Sequence, residues 1–379
     1  MLKLPILAYM KNKILHIISF DAPYPPNYGG VIDVLYKLKS FKELGYQIIL
    51  HVYTTDLISI KKLNELCIKV YSYKRKKQWH KHFLLTPFVV VSRFDKEIIN
   101  NLKKDDYPIL FEGLHTTLPV LKEDFKNRRL YLRAHNIEHN YYRGLAKSDS
   151  NILNKIIFTI ESYKLKIYER KILPQINVVL PISNYEYLYF KKVYDIQTIL
   201  LPVFHQNTKP IELSVRGKYA LYQGDLRVSD NKRVVAKLIK MFKDIDYPLV
   251  IASNIEADEF IKLYPNIPSN IMHEKIRSNA HLVSLFNDAH INTIFSYQNS
   301  GTKLKLINAL YNSRFCLIND NMIDEESIKK VCDVENDLLK YKEKINKLIS
   351  TNYNLSDERI LVLRNFVSRN KIILQKIFE

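Results

Sequence analysis

Four segments of this 379-residue chain carry residue types that can hold a ligand or work on it. The first is Asp21-Ala22-Pro23-Tyr24-Pro25-Pro26-Asn27-Tyr28-Gly29-Gly30, set between an apolar run and an amphipathic one. Paired glycines at such a turn let backbone amides approach a ligand with no Cβ in the way. The helix start that follows offers the positive end of its dipole to an anion such as phosphate. The second segment is Arg133-Ala134-His135-Asn136-Ile137-Glu138-His139-Asn140-Tyr141-Tyr142. A histidine at the carboxyl end of a strand can turn into a cleft and hydrogen-bond a hydroxyl there; the competing reading is a satisfied structural histidine. Just upstream, Phe111-Glu112-Gly113-Leu114-His115 ends another apolar run, which puts Glu112 and His115 on the same side. His135 and His139 have the spacing of a metal pair on a helix, but no third ligand accompanies them, so no metal is expected.

The third segment, Leu221-Tyr222-Gln223-Gly224-Asp225-Leu226, repeats the strand-and-turn plan, with Arg227, Asn231 and Lys232 close behind. The fourth is Ser300-Gly301-Thr302-Lys303-Leu304-Lys305-Leu306-Ile307-Asn308-Ala309-Leu310. Ser300 or Thr302 can cap the helix that starts there, and its free amides would face a ligand. Lys303 is placed to meet a diphosphate, Lys305 falls elsewhere on the helix, and Asn308 can hydrogen-bond hydroxyls.

The elements that must position these groups are strands and helices in alternation. Short apolar runs fall at 14–19, 47–53, 68–73, 109–112, 130–134 and 178–182, and again at 219–223, 249–252, 270–273, 292–295 and 315–318. Their near-continuous apolar character suits parallel strands covered on both faces. Amphipathic stretches at 31–44, 152–173, 230–242, 280–287, 302–311, 335–350 and 356–379 read as helices. The stretch 201–218 holds Pro202 and Pro210, lacks periodicity and marks a boundary. The expectation is an α/β chain of two Rossmann-like doubly wound domains facing across a cleft: residues 1–200, residues 201–350, and a last helix over 351–379 that packs back on the first domain.

The strand, the Pro-Tyr-Pro-Pro-x-x-Gly-Gly turn and the helix ending Leu44-Gly45-Tyr46 closely resemble the opening of family 4 glycosyltransferases, retaining enzymes of the GT-B fold. The resemblance runs from about Lys13 to Ile349. It implies transfer of a sugar from a nucleoside diphosphate donor to a glycan or lipid-linked acceptor, with no metal and no cofactor, in bacterial lipopolysaccharide or capsule assembly. It maps the family's active-site histidine onto His135. Gly29, Gly30, Arg227, Lys232, Gly301, Thr302, Lys303 and Asn308 become donor contacts, and Glu112, His115, Glu138 and His139 become acceptor contacts. The second half departs from the family: Asp225 stands in the place of an arginine, and Asn308 in that of a ribose-binding glutamate. Those departures keep a non-catalytic sugar-nucleotide-binding subunit in view, and a nucleotide-sugar epimerase is a smaller alternative.

Lysine and arginine total 58 against 39 aspartates and glutamates, a net charge of +19, which attracts polyanions. The basic stretch Lys74-Arg75-Lys76-Lys77-Gln78-Trp79 mixes cations with an aromatic, as suits an anionic membrane surface. Nucleic acid is the other polyanion, and a basic nucleic-acid-binding protein stands as the second rival class; no compact nucleic-acid motif is present, so none is expected as a partner. Three cysteines, Cys67, Cys316 and Cys332, match no zinc or redox spacing and fit a reducing compartment. Residues 1–13 lack the apolar core of a signal peptide, and a cytoplasmic protein peripheral on the membrane is expected.

Overall fold

A computed structural model describes residues 13–125, 127–149, 151–298 and 303–378. The first half runs β1 (Ile14–Ile18), α1 (Gly29–Glu43), β2 (Gln47–Val52), α2 (Leu57–Asn64), β3 (Lys69–Ser72), α3 (Phe88–Val91), α4 (Lys96–Leu102) and β4 (Ile109–Glu112). It continues through β5 (Leu130–Ala134), α5 (Glu138–Ser148), α6 (Ile152–Ile172), β6 (Val178–Pro181), α7 (Asn184–Val193) and β7 (Gln197–Thr198). The second half runs β8 (Tyr219–Gln223), α8 (Ser229–Phe242), β9 (Leu249–Ser253), α9 (Ala257–Leu263), β10 (Ile271–Lys275), α10 (Asn279–Asp288) and β11 (Ala289–Ile294). It ends with α11 (Leu304–Asn312), β12 (Phe315–Ile318), α12 (Glu326–Lys330), β13 (Asp333–Val334), α13 (Leu338–Ser350) and α14 (Asp357–Phe378).

The strands form two parallel sheets, β3-β2-β1-β4-β5-β6-β7 and β10-β9-β8-β11-β12-β13. The central strands are buried along nearly their whole length, Leu249–Ser253 and Ile109–Glu112 completely, because helices cover both faces. In each sheet the order turns back beside the first strand, at β1/β4 and at β8/β11. Loops at such switch points leave a crevice at the carboxyl ends of the strands, where ligands bind.

Several helices escaped the periodicity reading because they are short. Two of them carry legible start signals: Asp56 accepts from the amides of Ile58 and Ser59 ahead of α2, and Asp95 from that of Glu97 ahead of α4. β11 begins at Ala289, earlier than the apolar run at 292–295, since Ala289 and His290 are buried and Ala289 pairs with Tyr219 of β8.

Residues 199–218 carry no strand or helix and join the two sheets. The last helix binds both halves. Leu363 and Phe366 of α14 pack in the core with β11 and α11, whereas Leu374 and Ile377 pack in the core with α1, β1 and β2. Phe378 meets Tyr131 at 4.4 Å and Phe41 at 5.1 Å between ring centroids. At its start, Arg359 donates to the carbonyls of Leu310, Ser313 and Arg314, at or beyond the end of α11. Those carbonyls lack helical partners, so the guanidinium caps α11 from another element and fixes its axis. Among the described residues no helix is long and apolar enough to cross a membrane.

Candidate active site

Ala134 ends β5, so His135 emerges at the carboxyl edge of the first sheet beside Glu112, the last residue of β4. His135 Nε2 lies 3.2 Å from Glu112 Oε2. An ionised carboxylate can only accept, so this contact places the imidazole proton on Nε2 and leaves Nδ1 for a ligand. Behind this pair, fully buried Lys37 of α1 lies 2.8 Å from Glu112 Oε1 and 2.9 Å from Asp33 Oδ2. Arg133 grips the Asp33 carboxylate with Nε at 3.0 Å and Nη2 at 2.9 Å. Two carboxylates, Asp33 and Glu112, thus meet two cations, Lys37 and Arg133.

Burial by itself would raise both carboxyl pKa values. At Asp33, Arg133 and Lys37 outweigh it; at Glu112, Lys37 and His135 do. Both groups are therefore held below the usual carboxylate range. Asp33, Glu112 and His135 converge within 4.8 Å of one another, near enough to share a cation. The Lys37 ammonium already occupies that position between the two carboxylates.

The same cluster holds the inter-sheet connection. Arg133 donates to the carbonyls of Leu201 and Pro202, and Asp33 Oδ1 accepts from the amide of Phe204 at 2.8 Å. The charges that orient His135 thus also fix where the second half begins.

Around His135 stand Phe20, His115 and Glu138. Phe20 meets His135 edge-on at 5.5 Å and His115 at 5.9 Å. His115 Nε2 lies 3.4 Å from Glu138 Oε2 at the start of α5. Burial favours the neutral acid at Glu138, but His115, then His135 and Arg93, hold its pKa below the usual range. Gly113, between Glu112 and His115, has φ +75° and ψ 157°, a region open essentially to glycine alone.

The second sheet faces this cluster with the start of α11. A Cβ on Gly29, at the start of α1, would come 3.6 Å from Leu304 Cδ1, so two helix N-termini approach each other across the cleft. Gly144 of α5 packs against the Gln298 amide, where a Cβ would come within 2.8 Å of Nε2. Asp324 accepts from the amide of Tyr185 at 2.6 Å and so caps α7 from the opposite domain. Lys305 Nζ lies 3.4 Å from Asn231 Oδ1 and 5.2 Å from the Tyr222 ring centre. Burial lowers the pKa of both Lys303 and Lys305 to about 8; neighbouring Lys303 lowers Lys305 further, and Asp230 opposes the shift at both.

TarM of S. aureus superposes with a TM-score of 0.62 at 11% identity, over 97% of this chain and 96% of that one. The GtfA/B complex gives 0.61 at 10% identity over 96% and 98%. A glycosyltransferase from Rickettsia africae gives 0.56 at 13% identity over 97% and 94%. The chain has the GT-B fold. In sequence, an uncharacterized 44.6 kDa protein in the cps region of Klebsiella pneumoniae is 26% identical over 321 residues, 79% of this chain and 81% of that protein. No family model matches.

Within this GT-B cleft the structure brings together His135, Glu112, His115 and Glu138 on one side, and Gly29, Gly30 and Lys303 where the two domains meet. Glu112 and Glu138 are almost wholly buried, so their carboxylates face the histidines rather than open cleft. His139 turns into the first domain, 3.7 Å from Glu169 Oε1 and packed on Tyr189. Arg227 is 71% exposed and paired with Asp225 at 2.7 Å. Lys232 lies one turn into α8, and its neighbour Asn231 holds the loop through the Asp225 carbonyl. Asn308 Oδ1 accepts from Asn207 of the linker at 3.0 Å. Gly301 and Thr302 lie outside the described residues.

No motif in the sequence singles out Asp33, Lys37 or Phe20, and the helix pattern sets Lys305 apart from Lys303. One signal was available: Asp33 and Lys37 sit four apart within the apolar face Val31, Val34, Leu35, Leu38, where a lone charge would be costly and a pair is expected. Because α11 begins at Leu304, Lys303 and Lys305 both fall at its start, and Lys305 meets Asn231 and the Tyr222 ring beside the carboxyl end of β8.

Gly30 has its own reason to lack a side chain. A Cβ there would stand 2.7 Å from Phe20 Cζ, and Phe20 is confined by both histidines. Gly30→Ala is expected to displace the ring, lower turnover by up to about 100-fold through misplacement of His135, and cost about 1–3 kcal/mol as overpacking. Gly29→Ala, with only an ordinary contact to Leu304, is expected to do neither. Steady-state kinetics and thermal melting of the two variants check this, and equal effects at both positions would refute it.

Proposed function

We propose that this chain is a retaining, metal-independent glycosyltransferase that moves a sugar from a nucleoside diphosphate donor to a glycan or lipid-linked acceptor in capsule or related surface-polysaccharide assembly. The observation that carries the reading is the approach of the α1 and α11 N-termini, with Lys303 and Lys305, beside the His135 cluster. Helix N-termini and ammonium groups complement a departing diphosphate, a role that elsewhere falls to a metal ion. His135, oriented by Glu112, then offers Nδ1 to a hydroxyl of the donor sugar. The S. aureus TarM variant bound to UDP and alpha-GlcNAc-glycerol supports a nucleotide donor, and the Klebsiella cps-region relative supports the pathway.

A second reading is a nucleotide-sugar-binding subunit without turnover. It is favoured by the Asp225–Arg227 pair turned to solvent and by Asn308 engaged with the linker. One experiment separates the two: purified protein is titrated calorimetrically with UDP, GDP and their common sugars in a chelating buffer, then assayed for nucleotide release with acceptor glycans. Binding with release supports the transferase; binding without release under every acceptor supports the subunit; no binding overturns both.

The lysines predict how that binding depends on pH. With pKa values lowered to about 8 in the unliganded protein, Lys303 and Lys305 lose charge as pH rises through that value. A bound diphosphate favours the charged forms, so binding takes up protons. Affinity is expected to be steady below about pH 7 and to fall by up to about tenfold per pH unit for each lysine above about pH 8. Lys303→Arg/Lys305→Arg should flatten the profile, since guanidinium stays charged; a slope unchanged in that variant would exclude the two lysines as its source.

A further inference from the structure

α6 is apolar on two opposite faces. Ser162, Leu165, Tyr168, Glu169 and Ile172 are buried and pack inward. Ile152, Ile156, Ile160, Tyr163 and Ile167 are 48–71% exposed. At 3.6 residues per turn these five fall within roughly 80° of one another, across the helix from the buried face. Globular helices normally put polar groups on that side. Every charged residue of α6 that is not buried is a cation: Lys155, Lys164, Lys166, Arg170 and Lys171. Its two acids, Glu161 and Glu169, are both buried.

The neighbouring loop extends the surface. Lys164 Nζ donates to the carbonyl of His82 at 2.5 Å, and Glu161 accepts from the amide of Phe88 at 2.7 Å, so this loop is tied to the middle of α6. Phe83 and Leu85 stand 79% and 94% exposed on it, and the basic stretch at Lys74 and Lys77 leads into it.

We propose that the α5–α6 hairpin and the Phe83–Leu85 loop form an interfacial docking element that lies on an anionic lipid bilayer. The isoleucine stripe enters the headgroup boundary and the flanking lysines meet lipid phosphates. An apolar stripe bordered on both sides by cations, with no exposed acid between them, matches an anionic membrane and would repel a second copy of the same face. The helix is short of a membrane-spanning signal, so it lies on the surface rather than crossing it. α5 starts at Glu138 beside His115, so docking through this hairpin sets the cleft next to the bilayer. Docking of this kind is independent of sugar transfer and can be read without it.

The test is co-sedimentation of the full chain with vesicles of phosphatidylglycerol and phosphatidylethanolamine, against phosphatidylcholine vesicles, with light scattering to report oligomeric state. Ile156→Asp/Ile160→Asp changes two exposed positions and should leave the melting temperature unchanged. The native chain is expected to partition onto the anionic vesicles, and the variant to lose about tenfold or more of that binding. Failure of the native chain to bind overturns the proposal. So does undiminished binding by the variant, or binding abolished by molar salt in native chain and variant alike, which would reduce the contact to charge. A native dimer that the variant splits would assign the stripe to a second copy instead. Nucleotide binding is unaffected in every one of these outcomes, so failure here leaves the transfer reading standing.

Discussion

Replacing Asp33 by alanine is expected to remove about 3–5 kcal/mol of folding stability, the usual consequence of taking one partner from a buried charge cluster. Arg133 and Lys37 would stay buried with Glu112 as their sole counter-charge, and the amide of Phe204 would lose its acceptor. Asp33→Asn keeps the shape and one acceptor oxygen, so most of the loss should persist, because the missing term is charge. Urea denaturation of both variants measures it. A loss near zero in Asp33→Ala would mean that the cluster rearranges at no cost and does not anchor the linker.

The same cluster predicts acid sensitivity with a definite sign. Asp33 and Glu112 have folded-state pKa values below their ordinary ones, so they contribute stability that is complete above about pH 5. That contribution drains away as pH falls below the ordinary carboxylate range, and Asp33→Asn should make the acid limb shallower.

His135→Ala is expected to lower turnover by about 10²–10³-fold, the range seen when one preorganised polar contact to a reacting group is deleted. Its effect on folding should be small beside that of Asp33→Ala, since the ring lies at the edge of the cluster with 11% of its side chain exposed. Affinity for the nucleoside diphosphate alone should barely move if, as proposed, Lys303 and Lys305 hold that part. The split matters: His135→Ala should act on kcat, and Lys303→Ala/Lys305→Ala on KM and on nucleotide affinity. If His135→Ala turned over like the native chain, the histidine would revert to a structural role, hydrogen-bonded to Glu112 and packed on Phe20.

How much of this was legible follows from the physics of each feature. Apolar runs long enough to cross a buried parallel sheet announce themselves, and the central strands other than β11 lie where the pattern puts them. The two-residue edge strands β7 and β13 carry no such signal, because an edge pairing needs only backbone. The glycine turn, His135 and Lys303 are local: a turn type, a strand end and a helix start place them at the carboxyl side of the sheets whatever the rest of the chain does. By itself the sequence determined an alternating α/β chain of parallel strands, and its resemblance to family 4 glycosyltransferases implied the GT-B arrangement that the two sheets adopt.

Only the tertiary structure decided what those loops face. Nothing local joins Asp33 and Lys37 to their sheet partners; β4 and β5 bring Glu112 and Arg133 against them from 75 and 100 residues away. His139 has the right type and spacing for a site, yet the packing of α5 on α6 turns it towards Glu169. The doubly apolar character of α6 becomes visible only once one of its two faces is covered. In each case the deciding quantity is which side of an element meets another element, and a periodic pattern specifies a face without specifying its partner.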